Sequence, residues 1–437
     1  MDAALLDHLL ADFLERDLPR ATPRDARLPW LAGKIDTVIG MRRAGKTWFL
    51  FQNIAGWLDQ GNPKESVLYL NFEDERLHPF QARDLQRIPD AFFRRYPRLR
   101  ERECAFFFDE VQAAPGWERF VRRLLDTERV HLCLTGSSSR LLSHEVATAL
   151  RGRSLSTEIL PFSFRETLRH AGVDEKLSGR PGKKRRALLE NRWRRYLLEG
   201  GFPEVQELEG TLRRRVLQEY LDLVILRDVV ERYNVANVVA LRYLIRHLIG
   251  APSTHFSVHR FHNDLRSQGI RCSKNTLHDF LSYLSDCYLF FVVPMCSPST
   301  RARMVNPKKV YAIDTGLAHA CSRRPQPDMG HLLENSVFLD LRRRRWTIEY
   351  YRTRGGHEVD FLATDDLSRR YLIQVAVDLS RPDTRQREVR ALAEAMDELH
   401  LPQAFLLTLD DDEDLDLGGK QVAIRPAWWW ALTSGSV

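Results

Sequence analysis

One short run constrains this chain more than any other. Gly40-Met41-Arg42-Arg43-Ala44-Gly45-Lys46-Thr47 fits the pattern G-x-x-x-x-G-K-[ST]. An apolar strand, Ile35 to Ile39, leads into it, and a helical stretch, Thr47 to Asp59, leads out. Glycines at both ends let the backbone bend so that successive N–H groups point inward at phosphate oxygens. The following helix N-terminus adds partial positive charge. Lys46 is placed to bridge β- and γ-phosphates, the Thr47 hydroxyl to ligate Mg²⁺, and Trp48 completes the candidate ATP-binding stretch. ATP and Mg²⁺ are therefore the expected cofactors.

Downstream, Ala105-Phe106-Phe107-Phe108-Asp109-Glu110 is an apolar strand ending in two carboxylates. Asp109 at the strand end suits Mg²⁺ binding, and Glu110 suits polarising an attacking water. The strand Val67 to Leu70 lies between the two motifs in the chain. That predicts an inserted strand between the two phosphate-site strands. His131-Leu132-Cys133-Leu134-Thr135-Gly136-Ser137-Ser138 is a further strand ending in small hydroxyl residues. Thr135, Ser137 and Ser138 compete for a γ-phosphate-sensing role, with Ser137 the chosen candidate. Arg151 and Arg153 precede the strand Leu155 to Leu160, and either is a candidate arginine finger for its own or a neighbouring subunit.

Composition narrows the class without naming it. At 437 residues the chain has room for about three domains. Lys and Arg total 66 against 59 for Asp and Glu, a net charge of +7 that permits a polyanionic partner without requiring one. Asp2, Asp7, Asp12, Glu15 and Asp17 do not suit a secretory or transit peptide. No apolar run approaches the roughly 18 residues of a membrane helix. The scattered cysteines contain no C-x-x-C pair, which argues against zinc or a disulfide framework. The expected location is the cytoplasm, with no membrane partner. An amphipathic helix is expected around Leu5 to Phe13, and short strands alternating with helices predict a doubly wound parallel α/β sheet up to residue 160. Residues Phe164 to His247 read as helical. Strands return at Ile348 to Arg352, Val359 to Leu362, Tyr371 to Leu379, Ala404 to Leu407 and Val422 to Ile424. Asp410 to Asp416 reads as a solvated acidic turn.

These motifs together resemble those of bacterial and archaeal AAA+ ATPases. The phosphate loop, Tyr69-Leu70-Asn71-Phe72-Glu73-Asp74-Glu75, Phe108-Asp109-Glu110-Val111-Gln112, Leu134-Thr135-Gly136-Ser137 and Leu160-Pro161-Phe162-Ser163-Phe164-Arg165-Glu166 carry the likeness. Glu199-Gly200-Gly201-Phe202-Pro203, Arg227-Asp228-Val229-Val230-Glu231-Arg232-Tyr233, Asp314-Thr315-Gly316-Leu317 and Glu358-Val359-Asp360-Phe361 resemble the domain of unknown function that follows such ATPases. The resemblance implies a P-loop core over 1–160, a helical lid over 161–250, a winged-helix-like segment over 251–322 and an α/β restriction-endonuclease-like domain over 323–437. It also implies DNA as a client and a ring-like homo-oligomer.

Within that frame, Ser257 to Phe290 suits a winged helix. Lys274, Asn275 and His278 face outward from a helix whose Leu277, Phe280, Leu281 and Leu284 face inward. Lys183, Lys184, Arg185 and Arg186 open a dense basic stretch reaching Arg195, and Arg342 to Arg345 are four consecutive arginines. These are the candidate DNA contacts by charge, although four consecutive residues cover every side of a helix. Nuclease folds of the implied type need an acid followed by an E-x-K element around Mg²⁺. Here Glu334 and Asp360 are present, but Gln374 and Ala376 stand at the glutamate and lysine positions. A lost nuclease site is expected. The leading expectation is an ATP-hydrolysing machine acting on DNA, branched or single-stranded. The alternatives are a nucleotide-dependent signalling or defence switch with a protein partner and, more weakly, an ATP-dependent nuclease.

Overall fold

The computed structural model describes residues 3–136, 150, 152–174, 176–177 and 179–433. Contacts divide the chain into two compact units, Met1–Leu160 and Pro161–Val437.

In the first unit, helix α1 (Ala3–Glu15) buries Leu6, Leu9 and Phe13. Five parallel strands follow, β1 (Ile35–Ile39), β2 (Val67–Asn71), β3 (Cys104–Asp109), β4 (Val130–Gly136) and β5 (Ser154–Glu158). Helices α2 (Lys46–Asp59), α3 (Arg87–Arg95) and α4 (Trp117–Thr127) lie between them in the chain. The sheet order is β2-β3-β4-β1-β5. Every residue of β1 and β3 is buried; β3 accordingly reads as an apolar run up to Asp109, whereas β1 carries Asp36 and Thr37 in its interior. An inserted strand does separate β1 from β3, but it is β4, paired to both. Strand β2, which suggested the insertion, sits at the sheet edge. The core joins Phe49, Leu50 and Ile54 of α2 to Val38, Phe107 and Cys133.

The second unit begins with helices α5 (Phe164–His170), α6 (Lys183–Glu199), α7 (Gly210–Leu223) and α8 (Val238–Gly250). Next come β6 (Thr254–Phe256), α9 (Val258–Ser267), α10 (Lys274–Asp286), β7 (Phe290–Val293), α11 (Thr300–Val305) and β8 (Lys308–Ala312). The three strands form an antiparallel sheet with β8 in the centre. Helices α12 (Thr315–Cys321) and α13 (Met329–Arg343) lead to β9 (Thr347–Arg352), β10 (Glu358–Thr364) and β11 (Arg370–Val375). Helix α14 (Pro382–Leu399), β12 (Gln403–Thr408), β13 (Glu413–Asp416), β14 (Gln421–Pro426) and α15 (Ala427–Thr433) close the order. This mixed sheet runs β13-β14-β12-β11-β10-β9.

Two motifs of the second half prove to be a packing joint. A Cβ on Gly201 would meet Phe162 O at 2.1 Å, and one on Gly316 would meet Glu199 O at 2.1 Å. Asp314 fills the space beside Gly200 and accepts from Gly201 N at 2.7 Å and Leu317 N at 2.8 Å. Only glycine allows backbone to approach backbone this closely.

Three charge readings need correction. The acidic run is not simply a solvated turn, because Glu413–Asp416 is an edge strand paired with β14. Its carboxylates also bind arginines of the dense basic stretch. Arg180 reaches Asp412 at 3.3 Å, Arg186 donates to Asp410 O at 2.6 Å, and Arg194 pairs with Asp410. The Arg342–Arg345 run is built into the packing. Arg343 donates to Pro161 O at 2.9 Å and Phe162 O at 3.3 Å. Arg344 pairs with Asp340 at 2.8 Å and covers Trp430, while Arg342 covers Phe291.

Candidate functional site

The phosphate loop is shaped by its glycines. Gly40 has φ 149°, and a Cβ there would sit 2.1 Å from Ile159 O. Gly45 takes the left-handed region at φ 97° and caps α2. Arg43 also has positive φ, 64°, while Met41 and Ala44 are fully buried. Lys46 is buried, and its ammonium donates to Gly40 O at 3.2 Å and Met41 O at 3.3 Å. It stands 3.6 Å from Glu110 Oε1. Arg42 stands 3.6 Å from Glu73, and Trp48 is about half exposed, edge-on to Phe51.

Asp109 ends β3 with its side chain buried, so its oxygens need partners. Thr47 Oγ1 donates to it at 2.8 Å and Tyr69 OH at 3.2 Å, and the Thr135 hydroxyl donates to its other oxygen. Burial pushes its carboxyl up, the Thr135 bond opposes this, and the Glu110 charge adds to it. Glu110 adopts a left-handed conformation, φ 49°. Its N–H donates to Thr135 Oγ1 at 2.9 Å, and Gln112 donates to its carboxylate. Burial alone would raise the Glu110 carboxyl. The Lys46 ammonium, with Gln112 and Arg42, outweighs burial and holds it below its usual value. Glu110 is thus a partly buried, ionised carboxylate beside a buried lysine, at the end of a sheet where the phosphate loop opens.

The structure therefore gathers Gly40 to Thr47, Asp109 and Glu110. Thr135 acts as a clamp that holds the Asp109 carboxylate and the Glu110 backbone N–H, which its hydroxyl-rich strand end did not specify. Ser137, Ser138 and Arg151 lie outside the described residues. Arg153 does not suit a finger for its own site. Its carbonyl accepts from Ile35 N at the start of β1, the opposite end from the loop. That end is about 13 Å away at ~3.3 Å per residue. Its guanidinium pairs with Asp126.

Two further residues escaped sequence reasoning. Tyr69 was quoted only as part of a motif, and nothing in the sequence signals its bond to Asp109. Arg24 is buried and donates to Ala44 O in the loop at 2.9 Å and to Leu160 O. Arg24 is one of three arginines in a proline-containing loop, with Arg20 and Arg27, and carries no pattern that would single it out.

In the second unit, Glu334, Asp360, Gln374 and Ala376 all line one cavity of about 700 Å³. Lys309, on β8, buries its ammonium among three carboxylates, at 3.0 Å from Glu334, 3.2 Å from Glu358 and 2.7 Å from Asp360. Burial would lower the ammonium, but the charges of Asp360, Glu334 and Glu358 outweigh it and raise it. Burial and the Asp360 charge hold the Glu334 carboxyl above its usual range. The Gln374 amide is engaged at both ends, accepting from Asp360 N at 3.0 Å and donating to Glu388 at 2.7 Å. Sequence reasoning missed Lys309 because it lies outside the segment where the motif was sought.

Of the DNA candidates on α6, Arg185 is bonded to Asp174 and Lys176 O, and Arg186 to Glu190 and Asp410 O. Lys183 and Lys184 are exposed. Lys274, Asn275 and His278 are exposed on α10.

A glycine-bent loop after β1, a buried lysine and a carboxylate pair on β3 of a five-stranded parallel sheet define an AAA-type P-loop ATPase domain. The description "AAA domain" matches residues 32–168. Two domains of unknown function, DUF8612 and DUF4143, match residues 190–328 and 329–429. The uncharacterized protein MJ1544 of Methanocaldococcus jannaschii is 34% identical over 451 residues, covering 98% of this chain and 95% of that protein. The chain belongs to the same family as that archaeal protein. An uncharacterized protein of Haemophilus influenzae is 28% identical, over 75% of this chain and 79% of its own length. Among solved structures, the Walker-type ATPase PABY2304 of Pyrococcus abyssi aligns over 73% of this chain and 95% of its own, with 16% identity and a TM-score of 0.43. The Aeropyrum pernix Orc1 protein in complex with DNA aligns over 74% and 91%, with 14% identity and a TM-score of 0.25. At such scores neither bears on ligand or partner. Among the described residues, no helix is long and apolar enough to cross a membrane.

Proposed function

We propose that the chain is an ATP-driven AAA+ machine that hydrolyses ATP with Mg²⁺ and uses the cycle to remodel or move along nucleic acid. The observation that carries the ATPase part is the Lys46–Glu110 pair beside the Thr47–Asp109 hydrogen bond. These residues fit a Mg²⁺-nucleotide. Thr47 and Asp109 offer hard oxygens, Lys46 an ammonium, and the Gly40 bend a cradle that a Cβ would fill. The bound metal would neutralise phosphate charge. Glu110, held ionised, accepts a proton from water; Gln112 and Lys46 hold its carboxylate, and Thr135 anchors its backbone N–H. Lys46→Ala is expected to abolish ATP turnover, measured as phosphate release with and without DNA. Unchanged turnover in that variant would overturn the assignment.

The order α8-β6-α9-α10-β7-β8, with β8 central, supports a winged-helix module in the second unit. Helices α5 to α8 supply the lid of this reading. The order α13-β9-β10-β11-α14-β12 supports a restriction-endonuclease-like domain. The reading includes a homo-oligomer, checked by mass measurement with ATP. We further propose that the terminal domain does not cleave. Gln374 brings no charge, and the three carboxylates already hold Lys309. The same lysine favours a second reading, because its ammonium stands where Ala376 offers none. Mg²⁺-dependent cleavage lost in both Asp360→Ala and Lys309→Met would establish the nuclease.

A further inference from the structure

Between α10 and β8 lies a cleft of about 500 Å³. Lys274, His278, Ser282 and Ser285 line it from α10, His259 from α9 and Lys308 from β8. The α10 residues fall at i, i+4, i+8 and i+11, a single helical stripe. No carboxylate lines the cleft. Neither the Lys274 nor the Lys308 ammonium has an ion-pair partner among the described residues, unlike Arg185, Arg186, Arg194 and Arg195 of α6. In the dense stretch Arg180, Arg185, Arg186, Arg194 and Arg195 are paired within the chain; Lys183 and Lys184 have no ion pair among the described residues but do not line this cleft. Available charge, rather than charge density, attracts a polyanion.

We infer that this cleft holds the sugar–phosphate backbone of one nucleic-acid strand, an inference that rests on the nucleic-acid part of the proposed function. The geometry opposes the usual use of such a helix. A helix reads duplex DNA by lying in a major groove about 12 Å wide, which requires its reading stripe to protrude. Here the cationic stripe faces a concavity walled by Asn306, Pro307 and Lys308. The neighbouring exposed stripe carries Asn275 and Asp279, and a carboxylate there repels phosphate. The sequence-derived trio therefore splits. Lys274 and His278 belong to the cleft, and Asn275 does not. Lysines and serine hydroxyls in a lining with no exposed Phe, Tyr or Trp favour backbone contact over base reading.

The test is fluorescence anisotropy of the full chain with a labelled single strand of about 20 nucleotides and with the matching duplex, across about 50–200 mM KCl. The single strand is expected to bind at least ~10-fold tighter than the duplex, with affinity falling steeply with salt. Lys274→Glu with Lys308→Glu should weaken single-strand binding at least ~10-fold and flatten the salt slope, whereas Lys183→Glu with Lys184→Glu should change it less than ~3-fold. Should the charge-reversed pair fail to fold, Lys274→Gln with Lys308→Gln provides the same readout. Equal affinity for duplex would overturn the single-strand assignment. Wild-type affinity in the cleft variants would overturn the cleft while leaving the nucleic-acid reading standing. Absence of binding to either probe at the lowest salt would overturn that reading itself.

Discussion

A carboxylate partly buried beside a lysine behaves differently from one buried nearly alone, and the ATPase unit holds both. Glu110 has Lys46 at 3.6 Å and stays ionised. Asp36, inside β1, has one oxygen without a partner among the described residues. Burial pushes its carboxyl from 3.8 up to about 6, against a smaller opposing bond from the Trp30 backbone. A folded-state value above the unfolded one means that stability is fully present below the unfolded pKa and is lost as pH rises through about 6. Two units correspond to about 3 kcal/mol. Asp36→Asn should therefore raise unfolding free energy by about 1–3 kcal/mol at about pH 8 and change it little at about pH 4. Urea denaturation at both values checks the sign. At this scale the sequence was legible where chemistry follows a fixed spacing. Lys46, Thr47 and Asp109 were found in that way. Tyr69, Arg24 and the clamping role of Thr135 depend on side chains meeting across strands, and no spacing encodes that.

Elements are held by contacts that motifs only hint at. Gly316→Ala would drive a methyl group into Glu199 O and should cost about 1–3 kcal/mol or more, read by thermal unfolding. Lys309→Met would leave three carboxylates around no cation and should cost about 3–5 kcal/mol. An unchanged unfolding midpoint in urea would show that the ammonium does not tie β8 to α13 and β10. Strands β2, β3 and β4 were legible because apolar residues dominate them. Strand β11 was expected to run to Leu379, but it ends at Val375. Beyond it Ala376 N still donates to Leu407 O at 3.0 Å and Val377 O accepts from Leu409 N at 3.1 Å, while Ala376 and Leu379 pack on the core. Strands β6 and β13 were missed because three or four residues with polar members give no periodicity to read.

Over the whole molecule, net charge proved a poor guide to partners. The +7 excess is spread over arginines that largely serve the fold, on α6, in the Arg342–Arg345 run and at the β13 edge. Sequence order placed the basic and acidic stretches more than two hundred residues apart, so their mutual neutralisation was invisible before folding. The motif residues of the phosphate site, by contrast, were legible. They lie on one unit, at the ends of parallel strands β1 and β3 with β4 between them. The most direct test of the account is a comparison of wild-type protein with Glu110→Gln, following bound nucleotide and phosphate release together. The account predicts that Glu110→Gln still binds ATP with Mg²⁺ but releases phosphate at least ~100-fold more slowly, so that ATP stays trapped on the protein. Phosphate release at the wild-type rate from Glu110→Gln would contradict it.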